Sequence, residues 1–269
     1  MKTTGSVLML LMAVMAISAC EKNAVLEIAD PPSGGTSVKF FNFSVGSPAV
    51  NFYVNDDKVT AVSAVGCFLL DDTNRDECLS SGREATTGVA YGSAGNGVSG
   101  WYSDVAPGQV TISGRIAAAT DKNLPISNYA ATIEAGKFYS YYLSGIYNAT
   151  TKQSESFIVE DVLPPADFSV AYVRFVNASA TTQPMTLYAT DRATQVQTAV
   201  GGLVAYQSAG GFVALPEATY DLATRTDGST TNVFTRTAVT FTAGRVYTIA
   251  ARGNTATAST MALDNTANR

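Results

Sequence analysis

Val38-Lys39-Phe40-Phe41-Asn42-Phe43-Ser44 returns 135 positions later as Val173-Arg174-Phe175-Val176-Asn177-Ala178-Ser179. Both stretches alternate with period two, so Val38, Phe40 and Asn42 share one face, as do Val173, Phe175 and Asn177. A second pair lies downstream: Ala135-Gly136-Lys137-Phe138-Tyr139 and Ala243-Gly244-Arg245-Val246-Tyr247. Tyr139, Tyr141 and Leu143 then correspond to Tyr247, Ile249 and Ala251, core or sheet-face residues by parity. A duplicated strand pattern of this kind predicts two copies of one β domain.

Between the paired stretches the same alternation continues. Val50, Phe52 and Val54 stand opposite Asn51, Tyr53 and Asn55, and Met185, Leu187 and Ala189 keep that parity in the second copy. Ala106-Pro107-Gly108 and Leu215-Pro216-Glu217 are turns that launch further strands. Roughly seven short strands per copy, with turn signals every ~8–12 residues, predict an all-β chain of two tandem β-sandwiches. The first is expected from about Ser37 to Leu163 and the second from about Val170 to Leu263, with Pro164-Pro165-Ala166-Asp167 as a stiff joint. The copies differ between Val59 and Gly88, where the first carries an insertion and the second only a short connection, Arg192 to Gly202. The tail after Gly253 is expected to fray or to add a last edge strand through Met261 and Leu263.

Ahead of the strands, Lys2 and the apolar run Val7 to Ala16 read as a cleaved signal peptide over residues 1–19. Ile17-Ser18-Ala19-Cys20 is similar to a bacterial lipobox, which makes Cys20 the lipid-bearing mature N-terminus. One acyl chain holds marginally at about 0.8 kcal/mol per buried CH₂, so the two or three chains of a lipoprotein anchor firmly. Residues 20–36, with Asp30-Pro31-Pro32-Ser33-Gly34-Gly35, form a spacer. The expected address is the bacterial cell envelope, on a membrane facing the periplasm or the cell surface. With Cys20 committed to lipid, Cys67 and Cys78 are expected to form a disulfide, against two free thiols or half of a metal site as the alternatives.

Composition narrows the functions. Removing Lys2 with the signal leaves 16 basic against 22 acidic residues, a net charge of −6 that disfavours nucleic acid. The chain has no histidine, which excludes Ser-His-Asp and Cys-His catalysis and His-based zinc hydrolase sites. Gly95-Asn96-Gly97-Val98-Ser99-Gly100 has phosphate-loop spacing, but Trp101 to Pro107 shows no helical period, so the stretch reads as a loop between strands. Asp72, Asn74 and Asp76 alternate like the start of a calcium loop, yet Glu77 and Arg83 occupy the positions of its glycine and final glutamate. They read as a solvated acidic loop, with calcium as the weaker alternative. Glu160-Asp161 reads as a solvated strand end. Tyr91, Trp101 and Tyr102 are the aromatics nearest a glycine-rich segment and are the candidate ligand contacts, weighed against core packing. No catalytic residue and no cofactor is implied.

Val173 to Ser179, Leu187-Tyr188, Ala205 to Gly210, Leu215-Pro216 and Ala243 to Thr248 together resemble the bacterial domain-of-unknown-function family 4397. The first copy matches more loosely, through Lys39 to Asn42, Val89 to Ser93, Ala106 to Gly108, Ala135 to Tyr139 and Phe157 to Asp161. Phe41 and Phe43 depart from the pattern by being bulkier than Val176 and Ala178. The resemblance implies Ig-like or transthyretin-like sandwiches in secreted or lipid-anchored proteins, and brings no functional residues with it. The expectation is therefore a non-enzymatic binding or structural module that meets a protein or polysaccharide. The alternative is a carbohydrate-binding component using the aromatics of the first domain.

Overall fold

The computed structural model describes residues 35–60, 88–96, 100–180 and 183–269. Cys20, Cys67, Cys78, Asp72, Asn74 and Asp76 lie outside the described residues. In the first half the strands are β1 (Thr36–Asn42), β2 (Val50–Val54), β3 (Asp57–Lys58), β4 (Ser93–Ala94), β5 (Ser103–Val105), β6 (Gly108–Ile116), β7 (Pro125–Ile133), β8 (Phe138–Asn148) and β9 (Gln153–Glu160). In the second they are β10 (Ala171–Ser179), β11 (Met185–Asp191), β12 (Gln197–Val204), β13 (Ser208–Ala209), β14 (Val213–Leu215), β15 (Ala218–Thr226), β16 (Thr235–Phe241), β17 (Val246–Gly253) and β18 (Ala262–Ala267).

The two halves have the same topology. One sheet runs β4-β1-β8-β9 with β5 also on β1, and its counterpart runs β13-β10-β17-β18 with β14 on β10. The facing sheets run β3-β2-β6-β7 and β12-β11-β15-β16. In both mixed sheets the central pair is parallel, β1 with β8 and β10 with β17. Parallel neighbours need a crossover, and here the whole second sheet supplies it. The chain is all-β: two β-sandwiches, each with its own interior.

The duplicated residues explain the architecture. Val38, Phe40, Phe52, Ile112, Tyr141 and Leu143 are buried together in the first interior. Phe175, Leu187, Leu222, Phe241 and Ile249 fill the second. Asn42 and Asn177 are fully buried, and each donates from Nδ2 to the carbonyl that precedes the next edge strand, Val89 or Val204. The Ala-Gly pair makes the turn into the central strand, with Gly136 at φ +75° and Gly244 at φ +81°, where a Cβ is unfavourable. Three residues on, the hydroxyls of Tyr139 and Tyr247 accept the backbone N–H of Glu134 and Thr242, both at 3.2 Å.

Two expectations are corrected, and one open alternative is decided. Arg192 to Gly202 is no mere connection: it closes a hairpin and enters strand β12, which pairs along β11. Of the two alternatives for the tail after Gly253 the last edge strand holds: β18 contains Leu263, begins just after Met261 and runs on to Ala267, with Asn268 buried beyond it. Asp161 is no solvated strand end but is 2% exposed. Its burial leads to the junction of the two halves.

Candidate functional site: the buried junction between the sandwiches

Strand alternation sends every second residue of a mixed sheet away from its own core. On β1 these are Lys39 and Phe41, and on the register-matched β8 they are Ser140 and Tyr142. On β10 and β17 they are Arg174, Val176, Thr248 and Ala250. All eight are buried, because the outer faces of the two mixed sheets pack on each other. Phe41, Phe43, Tyr142 and Phe157 from the first half meet Val176, Ala178 and Ala250 from the second in one apolar cluster. Phe41, Tyr142 and Phe157 form a stacked row with centroids 4.8 and 5.0 Å apart. The greater bulk of Phe41 and Phe43 over Val176 and Ala178 thus has a steric reason. Large residues on one sheet fill the space left by small ones on the other.

Beside this cluster lies a polar network built twice, once from each half. Arg174 is 1% exposed; it donates from Nη1 to the Glu160 carbonyl at 3.1 Å and pairs through Nη2 with the Asp161 carboxylate. Its guanidinium stacks on Phe212 at 4.9 Å, and its Nε donates to Thr248 Oγ1 at 2.9 Å. The counterpart of Arg174 is Lys39, 3% exposed. Lys39 donates to the Ala267 carbonyl at 2.5 Å and lies 4.5 Å from the centroid of Tyr102, which holds the place of Phe212. Ser140 donates to Asp161 Oδ2 at 2.7 Å, and Thr248 donates to Asn268 Oδ1 at 2.7 Å. Asn268 is thus the counterpart of Asp161.

The two sub-networks join. Tyr102 donates its hydroxyl hydrogen to Asp161 Oδ2 at 2.6 Å and accepts Asn268 Nδ2 at 2.9 Å. Asn268 Nδ2 also lies 3.4 Å from Asp161 Oδ2. Burial lowers the Lys39 ammonium pKa to about 8; Asp161 pulls it up and Arg174 pushes it down. Burial, then the Asp161 charge, raises the Tyr102 hydroxyl well above the usual phenol range. Burial likewise raises Tyr142.

At the other end of the junction, Arg252 lies 4.8 Å from the Tyr91 ring and pairs with Asp264 at 2.5 Å. Tyr91 donates to the Thr260 carbonyl at 2.6 Å. Tyr206, the second-half counterpart of Tyr91, donates to Glu155 at 2.8 Å. Two grooves flank the junction. One, about 410 Å³, is lined by Phe41, Phe43, Ser93, Asp264 and Thr266. The other, about 680 Å³, is lined by Val159, Glu160, Pro164, Arg174, Ser208 and Phe212. In the first groove Asp264 is held by Arg252, and in the second Glu160 is held by Lys137.

The three candidate aromatics are separated. Tyr91 and Tyr102 face the second sandwich, and only Trp101 among them is solvent-facing, at 73% exposed. After Gly100 the chain enters strand β5 and not a helix, as the reading of the glycine-rich stretch expects. The residues of the junction that sequence reasoning passed over are Lys39, Asp161, Arg174 and Asn268. One signal was present: a cation at the same outward position of both fingerprints, where an isolated sheet would show any polar residue.

Comparison with curated proteins finds no match. Residues 171–269, the second sandwich with all of β10 to β18, match the family model described as "Domain of unknown function (DUF4397)".

Proposed function

We propose that this chain is an envelope lipoprotein, tethered through Cys20, whose two sandwiches act together as one non-enzymatic binding or structural unit. The first sandwich is then a diverged copy of the second, since their strand orders coincide. The observation that carries the reading is the use made of the buried charges. Arg174, Asp161 and Lys39 are committed to holding two domains together, and the groove carboxylates Asp264 and Glu160 are neutralised by Arg252 and Lys137. Contacts with a protein or polysaccharide are left to sheet edges and loops. The Cys67–Cys78 disulfide belongs to this proposal, as it suits an oxidising compartment.

The test is fractionation with mass spectrometry. The mature N-terminal peptide should carry a diacylglyceryl group on Cys20, and Cys20→Ala should move the protein from the detergent phase to the aqueous phase. An unmodified Cys20 in a membrane-free fraction overturns the tether. Crosslinking in the native envelope then identifies the partner.

A second reading is favoured by Trp101, whose exposed indole offers a stacking face for a sugar ring. Glycan-array binding that disappears in Trp101→Ala supports carbohydrate recognition, and flat arrays return the choice to the first reading.

A further inference from the structure

The two halves of the polar network differ at all four of their positions, Lys39/Arg174, Asn268/Asp161, Tyr102/Phe212 and Ser140/Thr248, and in the first two pairs the difference is chemical. Where the second half presents Arg174 to the Asp161 carboxylate, the first presents Lys39 toward the segment carrying Asn268. Each cation bonds the carbonyl of the residue just before its mate, Glu160 or Ala267. A guanidinium and a carboxylate can only form a salt bridge. A primary amine and a carboxamide can condense.

We propose that Lys39 and Asn268 form an intramolecular amide (isopeptide) cross-link, with Asp161 as the proton carrier. The surroundings supply what the reaction requires. The amine sits in a dry junction whose burial lowers its pKa to about 8, so a fraction of it is a neutral nucleophile at ordinary pH. The Thr248 hydroxyl donates to Asn268 Oδ1, where negative charge develops on attack. Asp161 accepts a hydrogen bond from Asn268 Nδ2, the leaving nitrogen, and Tyr102 bridges the two.

In the reaction the Lys39 Nζ lone pair forms a bond to Asn268 Cγ, and the carbonyl electron pair moves to Oδ1. One proton passes from the attacking nitrogen to the Asp161 carboxylate through the Tyr102 hydroxyl, which already donates to Asp161. Asp161 returns it to Nδ2, the carbonyl re-forms, the Cγ–Nδ2 bond breaks and ammonia leaves. Nothing is oxidised or reduced and no co-reactant is used. The product ties the first strand, β1, to the residue after the last strand, β18. It therefore encloses both sandwiches in one covalent loop.

The experiment is peptide mass spectrometry on the purified full chain, denatured and digested with trypsin. An acylated Lys39 is not cleaved, so residues 23–58 should appear joined to residues 253–269. The joined species should be lighter than the two peptides together by about 17 Da, one ammonia. Lys39→Arg keeps the charge but cannot form the bond; it should release 253–269 as a free peptide while keeping the near-UV dichroism of the folded protein. Separate peptides ending at Lys39 and spanning 253–269 in the wild type, with no joined species, overturn the proposal. So does a joined or ammonia-depleted species that survives in Lys39→Arg. A misfolded Lys39→Arg leaves the wild-type digest to decide.

Discussion

Asp161 shows how much one side chain depends on its surroundings. Its carboxylate receives Arg174, Ser140, Tyr102 and Asn268, all from residues buried or half-buried in the junction. Removing one partner of such a pair leaves the other charged, dry and unmatched. Asp161→Ala should therefore cost about 3–5 kcal/mol, whereas replacing both residues by apolar ones, Asp161→Leu with Arg174→Met, should cost far less. Urea denaturation of the single and double variants checks this, and equal losses in both would contradict it. The tyrosines make a separate statement about pH. Burial raises Tyr141 to about 12 and lifts Tyr102 and Tyr142 further, while the unfolded chain ionises near 10. Above pH 10 the unfolded state thus binds fewer protons than the folded one, and stability falls as pH rises. This contribution is fully present below pH 10; the Tyr141 share is lost by about pH 12, while the losses from Tyr102 and Tyr142 continue above it. The urea midpoint should accordingly drop over that window, less steeply in Tyr102→Phe.

Strands and turns were largely legible because their cause is local. The alternation of Val38, Phe40 and Asn42 places them inward as expected, and the Ala-Gly turns precede the central strands in both halves. The repeated asparagine reads in sequence only as a polar residue on an apolar face, yet its burial follows from that parity. Asn177 donates to the Val204 carbonyl and accepts the Ser179 N–H, tying β10 to the end of β12. Asn177→Ala leaves buried backbone groups unpaired and should destabilise by about 1–3 kcal/mol, measured by chemical denaturation, with Asn177→Asp restoring only the Ser179 bond. What stayed hidden is whatever depends on the other domain. Arg192 to Gly202 carries Gly201 and Gly202 at positive φ, and those glycines mask a strand that is fixed by pairing with β11. Lys39, Asp161 and Arg174 look like surface residues because nothing in a single repeat reveals that its outer face is covered.

The covered face decides how the molecule behaves as a mechanical object. Two sandwiches on a proline joint would ordinarily reorient and melt independently. Here the outer faces of both mixed sheets are dry, aromatic rings from one side fit small residues on the other, and a buried ion pair crosses the boundary. Separating the halves would strand Arg174 and Asp161 apart and wet Phe41, Tyr142 and Phe157, so neither half opens without loss to the other. Calorimetry on the wild type should accordingly give one transition whose calorimetric and van't Hoff enthalpies agree. Ala250→Leu pushes a larger side chain into the stacked aromatics and should cost about 1–3 kcal/mol by overpacking, while leaving both interiors untouched. If the junction is what couples the domains, that variant should broaden the single peak or split it in two. A larger disturbance such as Phe41→Asp should split it fully, with each half keeping its far-UV dichroism. Two well-separated transitions in the wild type would mean that the halves are merely neighbours, and the rigid unit on which the binding reading rests would be lost.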